Sequence, residues 1–257
     1  MNKDTTRQVI VVIATLLTIA VNGLASSLPL NGLTTGEISD QFAVYFVPAG
    51  YVFSIWGLIY LGLLAYTVYQ ALPAQRDNAK LRRIGYLYVG TGLANTVWLF
   101  LWHYQVFALT VPVMIALLGL LIAIYLHLEI GRRSVRAGQR WLVNVPFSIY
   151  LGWITVATIA NVTSLLEYWE WNGWGIYPEY WAVIMLVVGA IVAAAVSITR
   201  GDIAYVAVIV WAFAGIAVKH ADTSVVAITA WVAAAAVALT LLVGVPRAKK
   251  RRATGRV

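Results

Sequence analysis

Eight apolar stretches of about 20 residues each constrain this chain more than any other feature. They lie near residues 9–28, 45–70, 84–102, 106–128, 141–166, 177–199, 203–219 and 223–245. Crossing the hydrocarbon core of a bilayer takes about 20 mainly apolar residues in a helix. The runs are too long, and too little alternating, for the roughly 10-residue strands of an outer-membrane barrel. Helices satisfy every backbone group inside lipid. Composition points the same way. The chain is 61% hydrophobic and 11% charged, whereas a globular domain is about a quarter charged. Too few polar side chains are available to cover a water-soluble fold, and the apolar content excludes a disordered or collagen-like chain. The expected fold class is an all-α integral membrane protein with eight transmembrane helices.

Loop charges orient these spans. With the N-terminus in the cytoplasm, one set of loops carries Lys3, Arg7, Arg76, Lys80, Arg82, Arg83, Arg132, Arg133, Arg136, Arg140 and Arg200, and the tail adds Arg247, Lys249, Lys250, Arg251, Arg252 and Arg256. Only Lys219 falls on the other side, together with Glu37, Asp40, Glu167, Glu170, Glu179 and Asp222. This asymmetry is the positive-inside pattern. It predicts both termini in the cytoplasm and an integral protein of the cytoplasmic (inner) membrane. The net charge of +8 is then a matter of topology and contact with anionic membrane lipid, and no nucleic-acid partner is expected from the tail RAKKRR.

The first stretch has the flanking charges and the small residues Ala25-Ser26-Ser27 of a signal peptide, but it outruns the 7–15 residues of a signal core, which favours a retained helix. The first outer loop, about 29–44, contains Pro29, two glycines and two acids. The third reads EYWEWNGWGIYPEYW from Glu167 to Trp181. Rings of this kind favour the headgroup level, so an interfacial belt is the first reading and a ligand lid the second. The Ala-rich sixth to eighth stretches read as close-packing helices.

Ionisable groups deep in the spans, which would mark an ion path, are nearly missing. His127 and Glu129 fall at one helix end, and Lys219, His220 and Asp222 at another. The absence of cysteine excludes thiolate nucleophiles and Cys-ligated metals. Three histidines without metal-ligand spacing give no metal signature, and no catalytic residues are visible. Aromatics are abundant instead. Trp56, Trp98 and Trp153 fall inside their spans, near Pro48 and Gly50, Asn95, and Gly152 with Asn161 respectively. Trp offers a flat apolar face and one N–H donor. Such a cluster with one or two amides suits a large, flat, mostly apolar ligand, and helix packing accounts for the same residues equally well.

Three stretches resemble the TspO/translocator protein family, the tryptophan-rich sensory proteins. The run Pro48-Ala49-Gly50-Tyr51-Val52-Phe53-Ser54-Ile55-Trp56-Gly57-Leu58-Ile59-Tyr60 is similar to the family's PPGWVFxPVWxxLY. Asn95-Thr96-Val97-Trp98 is similar to NxxW, and the run from Trp153 through Ala157 to Asn161 to WxxFAxxLN. The motifs occur in family order. Ala49 replaces the second Pro, Tyr51 the first motif Trp, the segment from Phe53 to Trp56 is one residue shorter than the family's, and the Pro of the fifth-helix motif is displaced to Pro146. The resemblance covers 1–167, where it implies a TspO-like five-helix bundle; three additional helices over 168–246 and a basic cytoplasmic tail over 247–257 are expected beyond it. It implies a pocket for tetrapyrroles, sterols or similar hydrophobic small molecules, with a porphyrin or haem as the ligand to test. By matched position the pocket residues would be Phe53, Trp56, Asn95, Trp98, Trp153 and Ala157. Relatives pair through the third helix, where Gly90 and Ala94 form a small-xxx-small pair, so a homodimer is a further expectation. The resulting expectation is a non-enzymatic membrane protein that binds a flat hydrophobic molecule and senses or transports it. The alternatives are a small-molecule transporter unrelated to tetrapyrroles and an intramembrane porphyrin- or lipid-modifying enzyme.

Overall fold

The computed structural model describes residues 3–27 and 30–254; Pro29 of the first outer loop and Arg256 of the tail lie outside the described residues. Among the described residues every regular element is helical. The main helices are α1 (Lys3–Ser27), α2 (Ile55–Ala71), α3 (Ala79–His103), α4 (Phe107–His127), α5 (Val145–Tyr168), α6 (Pro178–Arg200), α7 (Ile203–Lys219) and α8 (Ser224–Thr254). Seven of the described helices are long and apolar enough to cross a membrane, and α7, at 17 residues, is shorter. Leu61, Leu93, Ile191 and Leu242 are each more than 60% exposed. Apolar side chains displayed on this scale mark surfaces meant for something other than water.

Local chemistry sets the helix ends. The Asn78 side chain accepts from the backbone N–H groups of Lys80 and Leu81 at the start of α3, and Asp202 does the same for Ala204 and Tyr205 at the start of α7, which satisfies donors a first turn leaves open. Gly201 closes α6 in the left-handed region (φ 60°), where a residue without Cβ carries no penalty. Two ends depart from the apolar pattern. The second stretch does not become helical at residue 45: it reaches a 3-10 turn, Gly50–Ser54, and only then α2. At the other end of the chain α8 runs unbroken through the basic tail to Thr254, because Arg, Lys and Ala are strong helix formers. A π-turn, Arg140–Asn144, leads into α5; Pro146 follows it and has no N–H to give the preceding turn.

The chain forms two compact units. One gathers residues up to 38, 56–129 and 135–151; the other gathers 39–55, 130–134 and residues from 152 onward. In the first unit, α1 packs on α3 and α3 on α4. The Thr15 hydroxyl meets Thr67 Oγ1 at 2.6 Å and the Tyr88 phenol at 2.7 Å. Gly92 permits this approach of α1, since a Cβ there would lie 2.7 Å from Thr18 Oγ1. The Tyr66 ring is edge-on to both Tyr88 and Phe147. Ion pairs tie the loop ends: Arg82 to Asp4 at 2.6 Å and Lys80 to Glu129 at 3.0 Å. Gly90 faces Leu120 of α4. The first outer loop docks through Trp102 Nε1, which donates to the Thr35 carbonyl at 3.2 Å, and Asn31, which donates to the His103 carbonyl at 3.0 Å. Thr34 and Glu37 form a reciprocal capping box, whose hydrogen bonds hold the Glu37 carboxyl below its ordinary value.

In the second unit α8 packs on α6 and α7. The crossing with α6 is backbone against backbone: a Cβ on Gly244 would lie 2.0 Å from the Ser197 carbonyl oxygen, and one on Gly201 2.7 Å from Ala248 Cβ. Arginines close this end. Arg200 donates to the Ile130 carbonyl, Arg251 to Thr199 and Arg252 to Gly131. At the far end of α7, Lys219 pairs with Asp40 at 2.5 Å, and the His220 ring lies 5.2 Å from the Tyr45 ring. Burial first, and the Lys219 charge second, hold His220 below its ordinary 6.5, with partial relief from the Val47 backbone. A histidine lowered in the folded state takes up its proton more readily when unfolded. Its stabilising contribution is therefore full above about pH 6.5 and is lost as pH falls below it. Melting in detergent is expected to drop from about pH 7 to about pH 5, and less in His220→Phe; an equal drop in both would assign the acid sensitivity elsewhere.

Candidate ligand site

Three of the six motif-derived residues fall in each unit. In the second unit, the segment from Pro48 to Ser54 is extended and then 3-10, and α7 holds it there. The Ala49 N–H donates to the Gly215 carbonyl at 3.1 Å, and Trp211 Nε1 donates to the Val52 carbonyl at 3.3 Å. Gly215 has to be small, because a Cβ would lie 2.2 Å from Val52 Cγ2. So fixed, Phe53 sets its ring edge-on to the buried Trp153 at 5.6 Å. Ala157 sits one turn further along α5, half-buried. Gly152 lets α7 approach α5, where a Cβ would meet the Tyr205 carbonyl at 3.1 Å.

In the first unit, Trp56 stacks on Tyr60 at 5.6 Å and meets Tyr150 edge-on. Trp98 stacks on Trp102 at 5.4 Å. Asn95 is buried; its Oδ1 accepts from Asn22 Nδ2 at 2.7 Å, and the Tyr150 phenol is also bonded to it. An amide network in an apolar interior is costly to interrupt, although pairs between membrane helices average well under the aqueous expectation. Asn95→Leu is expected to lower stability by about 1 kcal/mol. Adding Tyr150→Phe is expected to cost less than the sum of the two single changes, since the stranded phenol is removed with it. Thermal melts of the three variants in detergent check this, and an unchanged Asn95→Leu melt would remove the network from the stability account.

A cavity of about 820 Å³ lies wholly in the second unit, lined by none of those six residues. Its size is within the 300–1,000 Å³ usual for small-molecule sites. Three segments build it: Ala43–Phe46, the last three turns of α5 from Thr158 to Glu167, and the tryptophan loop with the first turns of α6, from Trp171 to Met185. Residues 158, 162 and 166 recur at the four-residue spacing that puts them on one helix face.

The loop is a rigid wall. Glu170, Gly173, Trp174 and Gly175 all have positive φ, and for a tryptophan that conformation costs about 1–2 kcal/mol, so the surroundings must impose it. They do so through three contacts. The Asn172 side chain accepts the Trp174 N–H at 3.0 Å, the Trp171 N–H reaches back to the Leu166 carbonyl at 3.0 Å, and Trp181 Nε1 donates to the Gly173 carbonyl at 2.9 Å. The rings of Trp171, Trp174 and Trp181 lie 5.2–5.8 Å apart, tilted or edge-on. Pro178 opens α6, with Glu179 in its first turn, both suited to a helix N-terminus.

With that geometry in view, a family model described as TSPO-like protein matches residues 8–243, well over half of the chain. The chain belongs to the TSPO-like family. The match runs through α6, α7 and most of α8, so the helices beyond residue 167 lie within the family region of this TSPO-like protein. No curated protein and no solved structure matches the chain. The membrane-spanning character of the helices agrees with the family, and the protein is a multi-pass membrane protein of the TSPO-like type.

Sequence reasoning singled out the tryptophan loop but not Tyr45, Phe46, Thr158 or Met185, which share the cavity with it. The one advance signal was the run of polar residues Thr158, Asn161, Thr163, Ser164 and Glu167 along the end of α5.

Proposed function

We propose that this TSPO-like protein binds a flat, largely apolar small molecule from the membrane, of tetrapyrrole or lipid type, in order to sense or transport it. The supporting observation is the cavity with its three-tryptophan wall: a planar apolar ligand gains area and favourable ring geometry there. In this reading all eight main helices span the cytoplasmic membrane, α7 included, since 17 residues rise about 25 Å. The arginine- and lysine-rich loops then lie inside with both termini, which puts the tryptophan loop and its cavity at the outer face. The matched residues remain candidate ligand contacts within their own units, Trp56, Asn95 and Trp98 in the first and Phe53, Trp153 and Ala157 in the second. The test is a titration of detergent-purified protein with protoporphyrin dimethyl ester, a flat ring without free carboxylates, followed by quenching of tryptophan fluorescence. Saturable quenching is expected. Quenching that rises without saturation would reject the binding function. Uptake of the same ring into proteoliposomes separates transport from sensing.

A further inference from the structure

We propose that the cavity beside the tryptophan loop takes a flat polycyclic organic cation, seated against the indole faces with its charge toward Glu167; the proposal rests on the ligand-binding reading above. Two hydroxyls of the wall act toward an occupant as acceptors only. The Thr158 and Thr163 hydroxyls spend their protons on the carbonyls of Ile154 and Ala160, at 2.6 and 2.8 Å, and present only lone pairs to the cavity. The indole N–H of Trp181 is taken by Gly173. Among the described residues Glu167 is the single ionisable residue of the lining other than Tyr45, and it lies at the exposed edge. Among the described residues no Lys, Arg or His lines the cavity, and none occurs in the sequence between Arg140 and Arg200.

Two fields act on an occupant besides Glu167. The C-terminal end of α5 closes on the cavity at Leu166 and Glu167, which favours a positive charge. The N-terminal end of α6 would favour a negative one, but Glu179 already occupies its first turn. The aromatic faces add to the same preference, since a cation over an indole is attracted by the ring quadrupole. A planar dicarboxylate would meet the reverse of each term: a like charge at Glu167, acceptor-only threonines and negative ring faces.

The test uses three flat tricyclic probes of nearly one shape: N-methylacridinium (cation), 9-methylanthracene (neutral) and 9-anthracenecarboxylate (anion). Each is titrated against the intact protein in detergent with tryptophan quenching as readout, in wild type, Glu167→Gln and Glu170→Gln. Glu170 lies in the same loop and does not line the cavity. The expected result is roughly tenfold tighter binding of the cation than of the neutral probe, with the anion weakest. Glu167→Gln is expected to remove most of the preference while leaving the neutral probe's affinity unchanged, and Glu170→Gln to keep the preference. Equal binding of all three probes, or tightest binding of the anion, overturns the cation assignment and leaves the binding function standing. So does a preference that Glu170→Gln abolishes as fully as Glu167→Gln, which would make it a property of bulk loop charge. Saturable binding of none of the three overturns both readings.

Discussion

Gly244→Val is expected to lower the melting temperature in detergent by roughly 6–12 °C, the counterpart of about 3 kcal/mol. A Cβ at this position would lie 2.0 Å from the Ser197 carbonyl oxygen and 2.7 Å from its carbonyl carbon. Those are backbone atoms of α6, so no rotamer change relieves the clash and the two helices have to separate. Separation would also loosen the Gly201–Ala248 approach one turn along the same crossing. The comparison is Gly119→Ala on α4, where a Cβ would meet nothing within 4 Å. That change is expected to leave stability unchanged or to raise it by up to about 1 kcal/mol. If Gly244→Val melts with the wild type, α6 and α8 do not cross at this glycine.

Trp181→Ala is expected to weaken binding of protoporphyrin dimethyl ester about thirtyfold, the effect of losing about 2 kcal/mol at an aromatic anchor. Trp181 contributes in two ways. Its ring meets Trp171 at 5.2 Å and Trp174 at 5.8 Å, and its N–H fixes the Gly173 carbonyl. Truncation therefore removes wall area and also frees a loop whose Trp174 sits in an unfavourable left-handed conformation. Trp181→Phe separates the two contributions, since it keeps most of the ring but not the donor, and an intermediate loss is expected. Quenching titrations of the three proteins, with the remaining tryptophans as reporters, give the order. Wild-type affinity in Trp181→Ala would place the ligand away from this cavity.

The two changes test different kinds of information. The eight main helices were legible one by one, because each is a local property, an apolar run; the Asn78 and Asp202 caps and the left-handed Gly201 stop were seen only in the structure. The family was legible for a similar reason. Its motifs are short and occur in family order: Asn95 to Trp98 and Trp153 to Asn161 keep their internal spacing, the run from Pro48 to Tyr60 is one residue short between Phe53 and Trp56, and the TSPO-like match includes all three. The start of α2 was less so. Hydropathy cannot distinguish an apolar helix from the extended Val47–Ala49 segment, whose backbone is held by Gly215 far along the chain.

By itself, then, the sequence determined an all-helical membrane protein, its apolar helices and the motifs that tie it to its family, since lipid leaves a backbone few ways to satisfy its own polar groups. Tertiary structure decided what those helices do for one another. α7, which read as plain packing material, carries the Pro48–Ser54 motif through Gly215 and Trp211. The tryptophan loop, which read as an interfacial belt, closes a cavity with Tyr45, Phe46 and the end of α5. Tyr45 and Phe46 stand more than 100 residues before that loop in the chain, and the Gly215 approach to Val52 spans a similar distance through a missing side chain, which leaves no periodic trace in the sequence.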